Sequence, residues 1–440
     1  MKTTVLMSAD FILAKLNINP NSKILYSQVT ESELDDYISI INWIKNYKPN
    51  SNAQDIDQVK GYTEAIYYLC TLQKFQSIEY LLSINITIVN NSLSLPLSLS
   101  EYLLFRGLER QLMDVCDEII DYFLNTENNL TRIYMLRAKA QAGIANTRQA
   151  ACDFFQELCV NIDKSSEYYI EAAANLAIAQ VYSGEYKQGR EKLYYYLNEL
   201  GKNSNSSKNI TDIKSDILEH LAWIAINSSN FKDAIHFYNE TIEIREEYGL
   251  LHKLISPLLH QGVIQRKLKN YDKAVTYLEK AKEIAQAFGT ERQTEWVEHH
   301  LAYVLLNQGK YNLAESLCLS CIDRAIQEQG SSIYGNSGIP DYYEQLGLIK
   351  LAQRKIDEAI KYLEMSRDLR MTLHNKHGVA SSLQHLSIAL WNKKNYIKSI
   401  KTFCTALKLF NQMRILNMSR FWRTINLVLE WTIGKRRKTM

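Results

Sequence analysis

HQGVIQRKLKNYDKAVTYLEKAKEIAQA (260–287) and HLAYVLLNQGKYNLAESLCLSCIDRA (300–325) decide the fold, because they are one pattern written twice. In each, a pair ending in a small residue (Gln261-Gly262, Leu301-Ala302) precedes by nine residues a large aromatic (Tyr271, Tyr311). A second small residue (Ala274, Ala314) follows three later. The same offsets hold for Leu176-Ala177 with Tyr186 and Gly189, and for Leu221-Ala222 with Phe231 and Ala234. They hold again for Leu346-Gly347 with Ile356 and Ala359, and for Leu386-Ser387 with Tyr396 and Ser399. Apolar residues then recur at helical spacing, as in Ala274, Tyr277, Leu278 and Ala281. Two antiparallel helices explain every element of this pattern. The first small residue admits the returning helix, the large one plugs the turn, and the second small residue seats the return.

Composition points the same way. The 440 residues are 46% hydrophobic, enough for a continuous core, while only 16 Gly and 5 Pro are present, too few for the many turns of a sheet protein. The expected architecture is all-α, without strands: a right-handed α-solenoid of helix-turn-helix repeats. Residues 1–56 read as an N-terminal helical segment and 57–168 as degenerate hairpins, of which 61–82, 100–123 and 132–160 are the clearest. The regular repeats occupy 169–412, and 413–440 reads as a capping helix with a basic tail.

Successive plug residues lie 45, 40, 40, 45 and 40 apart, with polar loops at 200–212 and 329–341 absorbing the longer steps. The pattern resembles the tetratricopeptide repeat, in a form longer than the usual ~34 residues. Forms of this length are similar to those of kinesin light chain, of Rap-type bacterial peptide sensors, and of cyanobacterial NB-ARC/STAND-type signalling proteins. The last resemblance stops short of the ATPase. Gly201-Lys202, Gly309-Lys310 and Gly434-Lys435 lie in no Gly-rich loop and precede no Ser or Thr.

The residue before each pair is Asn175, His220, His260, His300, Gln345 or His385, and every one can both donate and accept a hydrogen bond. In the families resembled, an Asn at this place lies on the concave wall and grips a peptide backbone; here His replaces it in four of six copies. Helical spacing adds Trp223, Asn227, Lys267, Tyr303, Asn307 and Asn392 to the same face. Trp223, Trp296, Tyr303 and Trp391 would form apolar pockets, and Arg266 with Lys267 would favour acidic side chains. The competing reading is a solvated inner wall with no ligand.

Other chemistry is weakly represented. Cys318-x-x-Cys321 has zinc or redox spacing but falls on apolar helical positions with no second cysteine pair, so buried thiols are expected. His299, His300, His374 and His377 belong to no H-E-x-x-H or G-x-S-x-G motif. No cofactor, metal or catalytic residue is assigned. A phosphatase-like rival would need a carboxyl or amide pair in the groove near Asp216, Glu219, Asp341 or Glu344.

Seven scattered cysteines suit a reducing compartment, the cytoplasm. The segment 1–16 makes a poor signal peptide. From Arg414 onward seven Lys and Arg face Glu430 alone, a +6 tail on a −3 body, which argues against specific nucleic-acid binding. That tail, with Trp422 and Trp431, is read as a solenoid cap or a weak membrane-surface contact. The sequence thus implies a non-catalytic scaffold or adaptor that holds a protein or peptide in a concave groove. The alternatives are a peptide-sensing regulator that changes shape on binding and a regulatory subunit of an enzyme.

Overall fold

All six returning helices begin on the plug residue: Tyr186–Gly201, Phe231–Glu247, Tyr271–Ala287, Tyr311–Gln329, Ile356–Thr372 and Tyr396–Gln412. The outgoing helices are Glu167–Ser183, Lys208–Asn227, Ile255–Lys267, Glu291–Asn307, Ile339–Ala352 and Lys376–Asn392. The computed structural model describes residues 2–50, 53–90, 93–144, 148–164, 167–183, 185–201, 208–329 and 338–412. The chain is a helical-repeat solenoid. Its terminal stretch 413–440, read above as a cap or membrane contact, lies outside the described residues.

The small residues act sterically. A methyl group on Gly347 would come within 2.6 Å of Leu363, and one on Gly189 within 2.6 Å of Val181. No real Cβ survives at such distances, so these positions set how closely the two helices approach. Ala234, Ala274, Ala314 and Ala359 are all fully buried. In five of the six repeats the turn passes through a left-handed residue two before the plug: Ser229 (φ 59°), Lys269 (65°), Gly309 (78°), Arg354 (64°) and Lys394 (65°).

The described residues divide into two units, Met1–Ile264 with Lys280–Gln293, and Gln265–Glu279 with Thr294–Met440. The first unit corrects the expectation of a strandless chain. A three-stranded antiparallel sheet joins β1 (Lys2–Val5), β2 (Asn85–Asn90) and β3 (Leu93–Ser98) in the order β1-β2-β3. Thr4 pairs with Ile88 and Ile88 with Leu95. The signal was present in NITIVN and LSLPLS, where Ile86, Ile88, Leu95 and Leu97 alternate with polar or exposed residues and turn inward. The helical period in the flanking segments masked it. Ser98 then opens the helix Leu99–Phe105 with a reciprocal cap: its hydroxyl accepts from the Glu101 amide, and the Glu101 carboxylate accepts from the Ser98 amide at 2.8 Å.

The N-terminal core reaches far along the chain. Phe288, 1% exposed, is buried among residues such as Leu99, Tyr102 and Leu103. Arg106 locks that contact, bonding Asp55 and donating to the carbonyls of Phe288 and Gly289 at 2.8 and 3.0 Å. No described helix is long and apolar enough to cross a membrane.

Candidate functional site

The ladder residues share a local geometry set by their own helices. In the first unit Asn175 donates to the carbonyl of Glu171 at 2.9 Å. His220 and His260 place Nδ1 at 2.6 and 2.8 Å from the carbonyls of Asp216 and Ser256. Each bond runs back four residues and fixes the ring's orientation. A carbonyl partner requires the proton on Nδ1, so the neutral form of both imidazoles carries its acceptor on Nε2. The His260 ring stacks on Tyr238 at 5.5 Å with an interplanar angle of 5°, and Trp223 stacks on Tyr186 at 6.2 Å. Asn227 is exposed.

In the second unit His300, Tyr303, His385, Trp391 and Asn392 are half-buried, and Trp296, Lys267 and Asn307 are exposed. Trp296 lies against His300 at 6.3 Å, and Trp391 meets Tyr396 edge-on at 4.8 Å. Asn392 repeats the backward bond, donating to Ile388 at 2.8 Å. Arg266 sets its guanidinium 5.1 Å from the centre of the Tyr303 ring. Gln345 departs from the expected arrangement: its side chain is wholly buried and donates to the carbonyl of His299 at 3.1 Å. It serves helix packing, so the exposed wall expected at that position is not formed by it. His299, which motif reasoning set aside, has edge contacts with Tyr303 and Tyr342, and burial lowers its pKa.

Sequence reasoning left two buried charge clusters unassembled. In the first unit Arg245, 1% exposed, binds Asp216 at 2.8 Å, Glu219 at 2.6 Å, the Ser215 hydroxyl at 3.1 Å and the Lys253 carbonyl at 2.6 Å. Lys253 adds bonds to Asp212 at 2.6 Å and Asp216 at 3.0 Å. In the second unit Arg370 binds Asp341, Glu344 at 2.9 Å, the Ser382 hydroxyl at 2.8 Å and the Gly378 carbonyl at 2.9 Å. Glu344 also accepts from Ser381 at 2.9 Å and meets His385 Nδ1 at 2.8 Å. Burial alone would raise the Glu344 pKa, but His385 and Arg370 outweigh it and hold the carboxyl at about 2. Asp216 and Glu219 are likewise lowered, the nearby cations overcoming burial. Each arginine stands fourteen residues after its plug, with an Asp and a Glu five and two before the pair, and that recurrence was visible in the sequence.

Cys318 and Cys321 are fully buried, and burial pushes the Cys318 thiol up to about 12. Neither is a reactive thiolate at neutral pH.

Paired helices with small-residue seats and a large plug at the turn define the class of helical-repeat proteins. Within it, residues 253–326 match the tetratricopeptide-repeat family model, and the chain carries this repeat. No curated protein matches it in sequence. Among solved structures, the apo form of the quorum sensor NprR from B. thuringiensis is 12% identical, with a TM-score of 0.51 over 81% of this chain and 100% of that one. A Rap protein complexed with Competence and Sporulation Factor is 11% identical, with a TM-score of 0.51 over 77% of this chain and 96% of that one. A signal-transduction ATPase with a tetratricopeptide-repeat sensor from Pyrococcus horikoshii is 13% identical, with a TM-score of 0.49 over 92% of this chain and 65% of that one. At these identities the likeness is one of fold.

Proposed function

We propose that the protein is a non-catalytic, cytoplasmic scaffold that holds a peptide or protein segment against its outgoing helices. The observation that carries this reading is the ladder itself. Asn175, His220 and His260 in one unit and His300 and His385 in the other stand at one register position, half-buried and polar. Peptide main chain offers one donor and one acceptor per residue, and a row of bifunctional side chains repeating with the helices can meet both. Gln345, taken up by packing, is removed from the set.

The carboxylate pairs of the catalytic alternative are engaged by Arg245 and Arg370. A carboxyl held at about 2, as Glu344 is, makes a poor general base or acid at neutral pH. Seven free cysteines, six of them wholly or partly buried, are consistent with a reducing compartment. The similarity to NprR and to a Rap protein with its bound factor favours a peptide-sensing role as the second reading.

The test is a partner captured from the native cell, identified by mass spectrometry and titrated calorimetrically against His260→Ala/His300→Ala. Loss of one typical hydrogen bond at each should weaken binding by roughly 1–3 kcal/mol in total, with the melting temperature unchanged. Full-strength binding by the double variant would refute the ladder.

A further inference from the structure

In the first unit, the loop between the helices Glu109–Phe123 and Thr131–Gly143 meets the end of the helix Arg148–Asn161 around a cavity of about 520 Å³. That volume falls within the roughly 300–1,000 Å³ of small-ligand clefts, and no ladder residue lines it. Its floor is apolar. Leu130 and Leu158 are buried, at 7% and 6% exposure, and the half-buried rings of Tyr134 and Phe154 stand 5.8 Å apart, tilted by 54°. Leu124, 59% exposed, adds an apolar lip. Packing alone would close such a space, because side chains that line a gap forfeit contacts on that side.

The rim holds hydrogen-bonding capacity that the fold does not use. Asn129 gives its side-chain oxygen to the Thr131 amide at 3.0 Å, which leaves its NH2 group to donate into the cavity. Asn128 does the converse: its NH2 group donates to the Thr126 hydroxyl at 3.0 Å, which leaves its oxygen to accept. Consecutive residues thus offer one donor and one acceptor. Asn161 and the Tyr134 hydroxyl have no hydrogen bond among the described residues. Charge is nearly absent from the lining, where Glu157 alone is ionisable at neutral pH, and exposed. Arg137 stands 5.1 Å from the centre of the Phe154 ring, but it lies outside the lining and is ion-paired to Asp117. A phosphate or carboxylate would find no cation here, and Glu157 would repel it.

We infer that this cavity binds an uncharged heteroaromatic of the nucleoside class, its base against Tyr134 and Phe154 and its edge read by Asn128 and Asn129. A flat ring matches the aromatic floor, and every base has a π-face, so stacking admits the class as a whole. Pairing of the edge with side-chain amides then chooses among its members, because each base sets its donors and acceptors differently. The free amide of Asn161 suits the hydroxyls of the sugar. A purely aliphatic ligand would leave the rim unpaired, and a nucleotide would bring phosphate toward Glu157. The site shares no residue with the ladder, so it stands or falls apart from the peptide-holding reading.

The experiment titrates the full chain calorimetrically with adenosine, guanosine, cytidine and uridine, with their 5′-monophosphates, and with indole and N-acetyltryptophanamide. At least one nucleoside should bind with a Kd of roughly 1 mM or tighter, and its monophosphate no more tightly. Asn129→Asp keeps the oxygen that caps Thr131 but removes the donor, and should weaken that nucleoside by roughly tenfold or more without lowering the melting temperature. Asn128→Leu removes the acceptor from an exposed loop and should weaken it comparably. If Asn129→Asp melts early, Asn128→Leu decides alone. The inference is overturned if no nucleoside binds, or if binding is indifferent to a folded variant of either residue, which places it elsewhere. It is also overturned if the monophosphates bind more tightly, which marks an anion site, or if N-acetyltryptophanamide binds where nucleosides do not, which marks a pocket for a peptide side chain.

Discussion

The clusters around Arg245 and Arg370 occupy the same register 125 residues apart, yet they balance charge differently. Both join a buried guanidinium to an Asp and a Glu of the outgoing helix and to a carbonyl eight residues further on. At that eighth residue the first cluster has Lys253, whose ammonium turns back onto Asp212 and Asp216. The second has Gly378, where any Cβ would meet Arg370 at 2.6 Å. The first therefore carries an added cation and an added acid. The second has neither, and completes its Glu with Ser381 and His385. The contrast shows that the shared geometry is the arginine joint between one repeat and the next, while its neutralisation is a local solution. His252, beside Lys253, meets Phe105 of the N-terminal block edge-on at 5.5 Å, so the richer cluster is also the one against which another part of the chain packs.

The largest expected effect comes from removing the arginines. Arg370→Ala leaves Glu344, 7% exposed, beside Asp341 with only Ser381 and His385 as hydrogen-bond partners, and should destabilise the second unit by about 3–5 kcal/mol in denaturant unfolding. Arg245→Ala should cost less, because Lys253 still holds Asp216. Equal losses would break the claim that the two joints are balanced differently.

Next in size is a difference of sign with pH. Glu344 falls from the usual 4.5 to about 2 on folding, so its contribution is present above pH 4.5 and disappears as pH drops toward 2. That interval corresponds to about 3 kcal/mol, and Glu344→Gln should lose it at pH 7 and flatten the acid limb of the stability curve. Asp212 goes the other way: burial and the neighbouring Asp216 raise its pKa despite Lys253. Its ionised form is thus disfavoured on folding, and Asp212→Asn should be neutral or slightly stabilising at pH 7. Chemical unfolding of both variants from pH 2 to 7 checks the pair, and a parallel loss in the two would remove the distinction.

How much of this was legible follows from what the sequence period encodes. The offsets around Tyr186 and Ile356 specify paired helices because sterics at Gly189 and Gly347 admit only small residues. The sheet was missed because a short alternating run such as LSLPLS competes poorly with helical periodicity on both sides. At the candidate site, the register placed the histidines correctly on their helices, but it could not say whether a side chain turns to solvent or to a neighbour. Gln345 turned inward to a carbonyl 46 residues away, a partner that no local pattern specifies. The arginine clusters were legible in principle, since Asp216 and Glu219 recur as Asp341 and Glu344 at the same offsets from the pair, but their cations lie fourteen residues beyond the plug and outside the repeat motif.

The smallest effect tests the turn that presents each arginine. The helix ending at Glu247 closes with the Leu250 amide on the Arg245 carbonyl at 2.8 Å and the Gly249 amide on Glu246 at 3.3 Å. The helix ending at Thr372 repeats it, with Asn375 on the Arg370 carbonyl at 2.9 Å and His374 on Met371 at 3.1 Å. Both are left-handed caps, with φ of 69° at Gly249 and 54° at His374. Nothing lies within 4 Å of a Cβ built on Gly249, so a side chain there would meet only the intrinsic cost of the left-handed region. Gly249→Ala should therefore destabilise by roughly 1 kcal/mol. His374→Gly relieves that strain but gives the unfolded chain more freedom, which offsets part of the gain, so about 0.5 kcal/mol of stabilisation or less is expected. If Gly249→Ala costs several times more, the cap is transmitting its distortion to Arg245, and the joint is then more tightly coupled to its turn in the first unit than in the second. If it costs nothing, the cap geometry is not what positions the arginine, and the buried carboxylates alone hold it.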